Sequence, residues 1–283
     1  MPESSPSRSA DKIYGVWTGT MDDLVSYRYV GCSSVVHDRT HAEGRMRIRR
    51  DLRTAAGLRG APLAIAALDT AGINIDRFHH LALTRVDVHV VDDGAELEEV
   101  RVVGTVLREA RTQVFTEARI EAQSDARRVV AFATADWAIL APTPEGFVYT
   151  DPGPGVPDTD DLPPLSDAFD AHPGAGGGFV IDGLSTRVGV DTLHHGPILV
   201  ALEAAALEIA AAQAETDALH IEHFSTRFVK AGRAGPFVAR AETIASRAGT
   251  VVCRAAMRDQ GADGQVIAVA LLRARAIRQK GDG

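Results

Sequence analysis

The chain has 283 residues, 45% of them hydrophobic and 24% charged, with a net charge of −8. This is the mix of a folded globular protein, long enough for one large domain or two ordinary ones. An acidic balance without an aromatic-studded basic stretch argues against nucleic acid, no apolar run reaches the roughly eighteen residues of a membrane span, and two cysteines make no disulfide framework.

The N-terminus, Met1 to Ala10, is polar and rich in Ser and Pro, without the apolar core of a signal peptide. Residues 1–20 are therefore expected to be a loosely ordered leader, and the cytoplasm is the expected location. Ser26 to Val36 and Gly44 to Arg49 read as strands, the second from the alternation of Met46 and Ile48 with arginines. A helix is expected from about Pro62 to Asp76, opening on a proline and dense in Ala and Leu. Strands follow at Ala82–Val91, Glu96–Leu107, Thr112–Ala122 and Arg128–Leu140, rich in Val, Thr and Phe.

From Ala141 the text turns to Pro-Thr-Pro, Asp-Pro-Gly-Pro-Gly and Pro-Gly-Ala-Gly-Gly-Gly. Proline removes a donor and glycine weakens regular structure, so residues 141–180 are expected to be a surface linker without a core of its own. Beyond it the pattern repeats: a strand at Leu184–Val190, a helix at Pro197–Glu215, then strands at Leu219–Val229, Phe237–Arg247, Thr250–Arg258 and Val266–Arg278. The halves align residue by residue. Asp69 meets Glu203 at an offset of 134, with Ala67, Leu68 and Ala71 on Ala201, Leu202 and Ala205. Further on, Val129-Val-Ala-Phe-Ala meets Val266-Ile-Ala-Val-Ala at an offset of 137, a drift assigned to a small insertion after the second helix. Such self-similarity marks a duplicated unit. The expected domains are residues 1–140 and 181–283, joined by 141–180.

Both helices are apolar nearly all round, so each must be enclosed, and one enclosed helix with about five antiparallel strands per unit suggests a sheet curled around a helix. The expected class is α+β. Within each helix sits one carboxylate, Asp69 or Glu203, which burial makes costly unless it is paired, shifted in pKa or facing a cleft. Just before the second helix stands Asp191-Thr-Leu-His194-His195-Gly196-Pro197. Its helix start offers free N–H groups to an oxyanion, although Asp191 and Thr192 read equally as caps and one of the histidines as packed inward. Arg59-Gly60-Ala61-Pro62 stands at the matching place in the first half, without histidines. With no Cys-x-x-Cys pair and no third partner for the two histidines, neither a metal nor another cofactor is expected. Cys253 reads as a small buried hydrophobe.

The His194-His195-Gly196 turn followed by Glu203, together with Leu68-Asp69-Thr70-Ala71, resembles the His-Gly-Gly…Ala-Asp-Thr-Ala motif of hotdog-fold acyl-CoA thioesterases, the phenylacetyl-CoA thioesterase branch in particular, here in a double-hotdog fusion. The resemblance covers roughly Gly44 to Leu140 and Leu184 to Ile277, and its motif is short. It implies hydrolysis of a small or medium acyl-CoA by a helix carboxylate of one unit facing the helix start of the other. By position, His195 and Gly196 would donate to the oxyanion, Asp69 would be base or nucleophile with Thr70 beside it, and His194 would line the site. The mirrored pair, Ala61 with Glu203, is expected to be degraded, since Pro62 replaces a motif glycine and its N–H. Glu203 keeps a place among the catalytic candidates because some relatives use Glu in this role. Arg227, Lys230 and Arg233 are candidates for the CoA phosphates, a solvated strand-end turn being their plainer reading. A non-catalytic hotdog that binds acyl-CoA or an acyl carrier stands as the alternative, with a hotdog hydratase behind it. Nucleic acid and membrane are not expected as partners; association into a homo-oligomer is.

Overall fold

The computed structural model describes residues 24–76, 78–143 and 155–277. The expected leader and part of the expected linker lie outside them. A short helix, α1 (Val25–Val30), leads into β1 (Cys32–Val36) and β2 (His41–Arg47). Two short strands, β3 (Arg53–Thr54) and β4 (Gly57–Leu58), precede the long helix α2 (Gly60–Asp76). Then come β5 (His79–Val90), β6 (Glu99–Glu109), β7 (Gln113–Ala122) and β8 (Asp125–Pro142). The second part begins with α3 (Leu165–Ala168), β9 (His172–Pro173) and β10 (Phe179–Ile181). It continues with a second long helix, α4 (His195–Ala214), and β11 (Leu219–Phe228), β12 (Phe237–Arg247), β13 (Thr250–Asp259) and β14 (Gln265–Ala276).

The main sheet has 12 strands in the order β1-β2-β6-β7-β8-β5-β11-β14-β13-β12-β10-β9. The strands of the first half thus stand together on one side, those of the second on the other. The two groups meet at β5 and β11, which pair antiparallel from Arg85↔Arg227 to His89↔His223. Alternation makes each strand two-faced, as in β2, where Ala42, Gly44 and Met46 are buried and Arg45 and Arg47 exposed. The inner faces wrap the helices: α2 packs on β1, β2, β5, β6 and β7, α4 on β12, β13 and β14, and the two helices touch one another. Every residue of α2 from Gly60 to Ile75 is buried, so its lack of a polar face is the signature of enclosure. In α4 the burial is complete only from Gly196 to Glu203 and then thins, leaving Glu208, Ala212 and Gln213 exposed. This helix is long and apolar enough to cross a bilayer by composition, with a mean hydropathy of 1.5, yet over half of it is buried within the protein.

Four expectations need correction. Ser26–Val30, expected as strand, is helical, and the strand begins only at Cys32, beyond Gly31, which adopts a left-handed backbone (φ 64°). Leu184–Val190 is not a strand; it is a tight loop closed by Ser185 and Gly189, while the strand of this region, Phe179–Ile181, begins inside the expected linker. The linker also has core residues: Leu165, Phe169 and Ala171 are buried, and the Phe169 ring meets Tyr29 edge-on at 5.9 Å. Finally, part of the offset drift lies within the second helix itself, which has 20 residues against 17 in α2.

Candidate active site

The start of each long helix faces an element carried by the rest of the chain, and the two starts are treated differently. At α2, Glu203 reaches across from α4, and its Oε1 accepts hydrogen bonds from the Gly60 amide at 2.5 Å and the Ala61 amide at 2.9 Å. These are amides that a helix leaves without internal partners, and they carry its positive end. Pro62 follows at a position where the missing N–H costs nothing. Gly60 makes the approach possible: a Cβ there would lie 2.8 Å from the Phe224 Cβ and 3.2 Å from Glu203 Oε1. The Glu203 side chain is buried; among the described residues its Oε2 has no hydrogen-bond partner, and Arg59 Nη1 stands 4.0 Å away. Burial pushes the carboxyl above its ordinary pKa, against the pull of Arg59 and the two amides.

A cleft of about 390 Å³ opens onto Glu203. Val200, Ala204, Leu207 and Ala211 of α4 form one apolar wall, Leu165 and Phe179 another, and Arg53 and Arg59 bring positive charge. Arg53 is anchored, its Nη1 donating to Gly94 O at 2.7 Å and its Nη2 to Leu97 O at 2.5 Å. Arg59 Nε donates to Arg53 O at 3.1 Å, which leaves its other nitrogens toward the cleft. A wider cleft, about 620 Å³, lies past the end of α4 around Gln213, Thr216 and Ser246. It contains none of the candidate residues.

At α4 the corresponding place is filled. Helix α1 lies against both long helices. Ser26 Oγ stands 2.8 Å from His194 Nδ1, and a Cβ on Gly196 would meet Ser26 Oγ at 2.1 Å. Tyr27 places its ring 5.4 Å from His194 and 6.5 Å from His195, and its hydroxyl 3.4 Å from His194 Nε2. The two imidazoles lie against each other at 3.8 Å. Burial holds His195 down at about 3 and His194 well below its ordinary range, so both stay neutral at physiological pH. The Tyr27 hydroxyl is raised by burial and then by the negative charges of Asp69 and Asp76. Asp69 is itself buried.

The structure therefore gathers His194, His195 and Gly196 around Tyr27 at one helix start, and Glu203 and Ala61 at the other. Thr70 is turned elsewhere: its hydroxyl lies 3.1 Å from Ser34 Oγ and 3.2 Å from Cys32 Sγ, beneath the β1–β2 hairpin. Asp191 and Thr192 do not cap α4, whose N-cap residue is His194. Arg227, Lys230 and Arg233 are exposed and stand outside the cleft; Arg227 pairs across the seam with Arg85, Lys230 bonds Gln265, and the Arg233 amide donates to Asp259. Cys253 is buried, as read from its apolar surroundings. The cations of the cleft, Arg53 and Arg59, were not assigned from sequence. A signal existed for Arg59, which immediately precedes α2 as His194 immediately precedes α4.

No family model matches the chain, and no curated protein matches it. Solved structures do. The putative thioesterase II from Thermobifida fusca superposes with a TM-score of 0.60 at 17% identity, over 89% of this chain and 97% of that one. The acyl-CoA thioesterase II TesB2 from Mycobacterium marinum gives 0.59 at 15% identity, over 90% and 99%. A conserved protein of unknown function with a hot dog fold from Alicyclobacillus acidocaldarius gives 0.56 at 14% identity, over 90% and 99%. At these identities the likeness establishes the fold.

Proposed function

We propose that this hotdog-fold chain is a fusion of two hotdog units that hydrolyses acyl-CoA thioesters, and that its working site is Glu203 with the Gly60 and Ala61 amides. The carrying observation is that this carboxylate lines a cleft and sits directly on the amides of the other half's helix. That two of the superposable structures bear thioesterase names supports the reaction class. The repeated element order and the seam at β5–β11 support the fusion.

In this reading the thioester carbonyl takes the two amides from Glu203 Oε1, and they hold the negative charge that develops on its oxygen. Glu203 then accepts the proton of a water as it adds to the carbonyl carbon; the C–S bond breaks and the CoA thiolate leaves. The apolar wall from Val200 to Ala211 receives the acyl chain, and Arg59 and Arg53 draw the phosphates. The hydratase reading needs a histidine that exchanges protons, and His194 and His195 are buried and neutral. One observation favours the non-catalytic reading instead. Oε1 already occupies both amides, as a permanent helix cap would.

A thiol reagent with a panel of acyl-CoAs separates these. Hydrolysis predicts CoA release that falls about 100-fold or more in Glu203→Gln, the range for loss of a positioned base, and stays within a few-fold in Asp69→Asn. Binding without release from any acyl-CoA would leave the capping reading standing, and the reverse mutant pattern would move the site to the Asp69 side.

A further inference from the structure

On the outer face of the sheet, the seam between the halves gathers a second set of functional groups. β5 and β11 place His89 directly opposite His223, with Asp87 two residues along the same face. Asp87 Oδ1 lies 2.6 Å from His223 Nε2 and 3.3 Å from His89 Nε2. The imidazoles stack at 4.5 Å with 22° between their planes. All three ligand atoms fall within 4.8 Å of one another. Arg85 Nη2 binds the remaining carboxylate oxygen, Oδ2, at 2.5 Å and so turns Oδ1 toward the imidazoles.

Two imidazole nitrogens and one carboxylate oxygen converging on one point are the donor set of zinc and its neighbours, whereas calcium and magnesium favour oxygen alone. We propose that Asp87, His89 and His223 form a surface site for a divalent transition-metal ion, zinc foremost, with water completing the coordination. A hydrogen bond between His223 and Asp87 accounts for the shorter contact. It does not account for a second imidazole stacked on the first and aimed at the same oxygen. Donors at about 2.1 Å from a tetrahedral zinc stand roughly 3.4 Å apart, so His89 and Asp87 already have that spacing and His223 has to withdraw by less than about 1 Å. The strands fix the register, Arg85 holds the carboxylate from behind, and the His89 side chain is 61% exposed, which gives the ion an entry path and open positions. Because His223 belongs to one half and Asp87 and His89 to the other, a bound ion would tie the halves together.

The test uses the full chain, free of any histidine tag and stripped with a chelator. Calorimetric titration with zinc should show one ion per chain, and zinc should raise the thermal midpoint. His89→Gln, at the most exposed of the three positions, should weaken binding roughly tenfold or more, while His37→Gln, at a histidine outside the cluster, should leave it unchanged. His223→Gln should act as His89→Gln does; should it fail to fold, cobalt(II) gives the independent readout, a visible absorption band in the wild type that His89→Gln abolishes. Absence of saturable zinc binding, or binding that His89→Gln leaves intact, would overturn the site.

Discussion

At the start of α2, two amides that an ordinary helix leaves to water are both taken by Glu203 Oε1, while among the described residues Oε2 has no hydrogen bond and a guanidinium 4.0 Å off. Such a group works against the fold. Its carboxyl is raised by burial, so the native state binds its proton more tightly than the unfolded chain does. The stability this group contributes is complete below the unfolded-state pKa of about 4.3 and is lost as pH rises through the higher native value. Glu203→Gln keeps an oxygen for the amides and removes the titration. It should therefore raise the thermal midpoint relative to the wild type at pH 8 and show a smaller gain at pH 4, while activity falls. Thermal melts of both proteins across that range check it. A variant less stable than the wild type at pH 8 would mean that the charge on Glu203 is needed to hold the α2 start. That outcome would favour the capping role.

Helix α1 and the segment through Phe169 decide which helix start is open. Ser26 and Tyr27 of α1 close over His194, His195 and Gly196. Phe169 supports this closure from below, its ring at 5.9 Å from Tyr29 and its Cε1 only 3.4 Å from where a Gly196 Cβ would stand. Phe169→Ala should cost about 3–5 kcal/mol, the range for an enclosed aromatic, as read by denaturant unfolding. A loss below about 1 kcal/mol would mean that the segment is a passive connection after all. Neither element was legible in the sequence. Val25-Ser-Tyr-Arg-Tyr-Val30 is rich in β-branched and aromatic residues and reads as strand; six residues are too few to form a helix on propensity, and packing on α2 and α4 holds this one. The Pro/Gly composition around Phe169 reads as irregular backbone, hides the short helix α3 and is silent on burial. What was legible is the pair of enclosed helices, because an apolar surface on every side has one physical solution, and most strands, because alternation reports a two-faced sheet. The two acids in register also pointed to one helix start facing the other half. Which of the two faces a cleft depends on what covers each start, and residues distant in sequence supply that cover.

The whole molecule is joined more closely than two tethered units would be. The sheet runs unbroken through β5 and β11, the long helices touch, and Glu203 of the second half completes the first turn of a helix in the first. Unfolding should accordingly be a single cooperative transition, and residues 24–143 expressed alone should not fold as a monomer, since they would expose the edge of β5 that pairs with β11 and leave the α2 amides without Glu203. Calorimetry on the full chain and circular dichroism on the fragment measure this; two separated transitions would show the halves to be independent.

The central claim is that a carboxylate from one half and the helix amides of the other share a single substrate pocket. The most direct measurement is a crystal structure with a non-hydrolysable ketone analogue of an acyl-CoA, in which a methylene replaces the thioester sulfur and the carbonyl keeps its place. The account predicts that carbonyl oxygen within hydrogen-bonding distance of the Gly60 and Ala61 amides, the acyl chain along Val200 to Ala211, and Glu203 displaced from its cap. An analogue bound instead beside Asp69 and His195, with Glu203 still seated on α2, would contradict it.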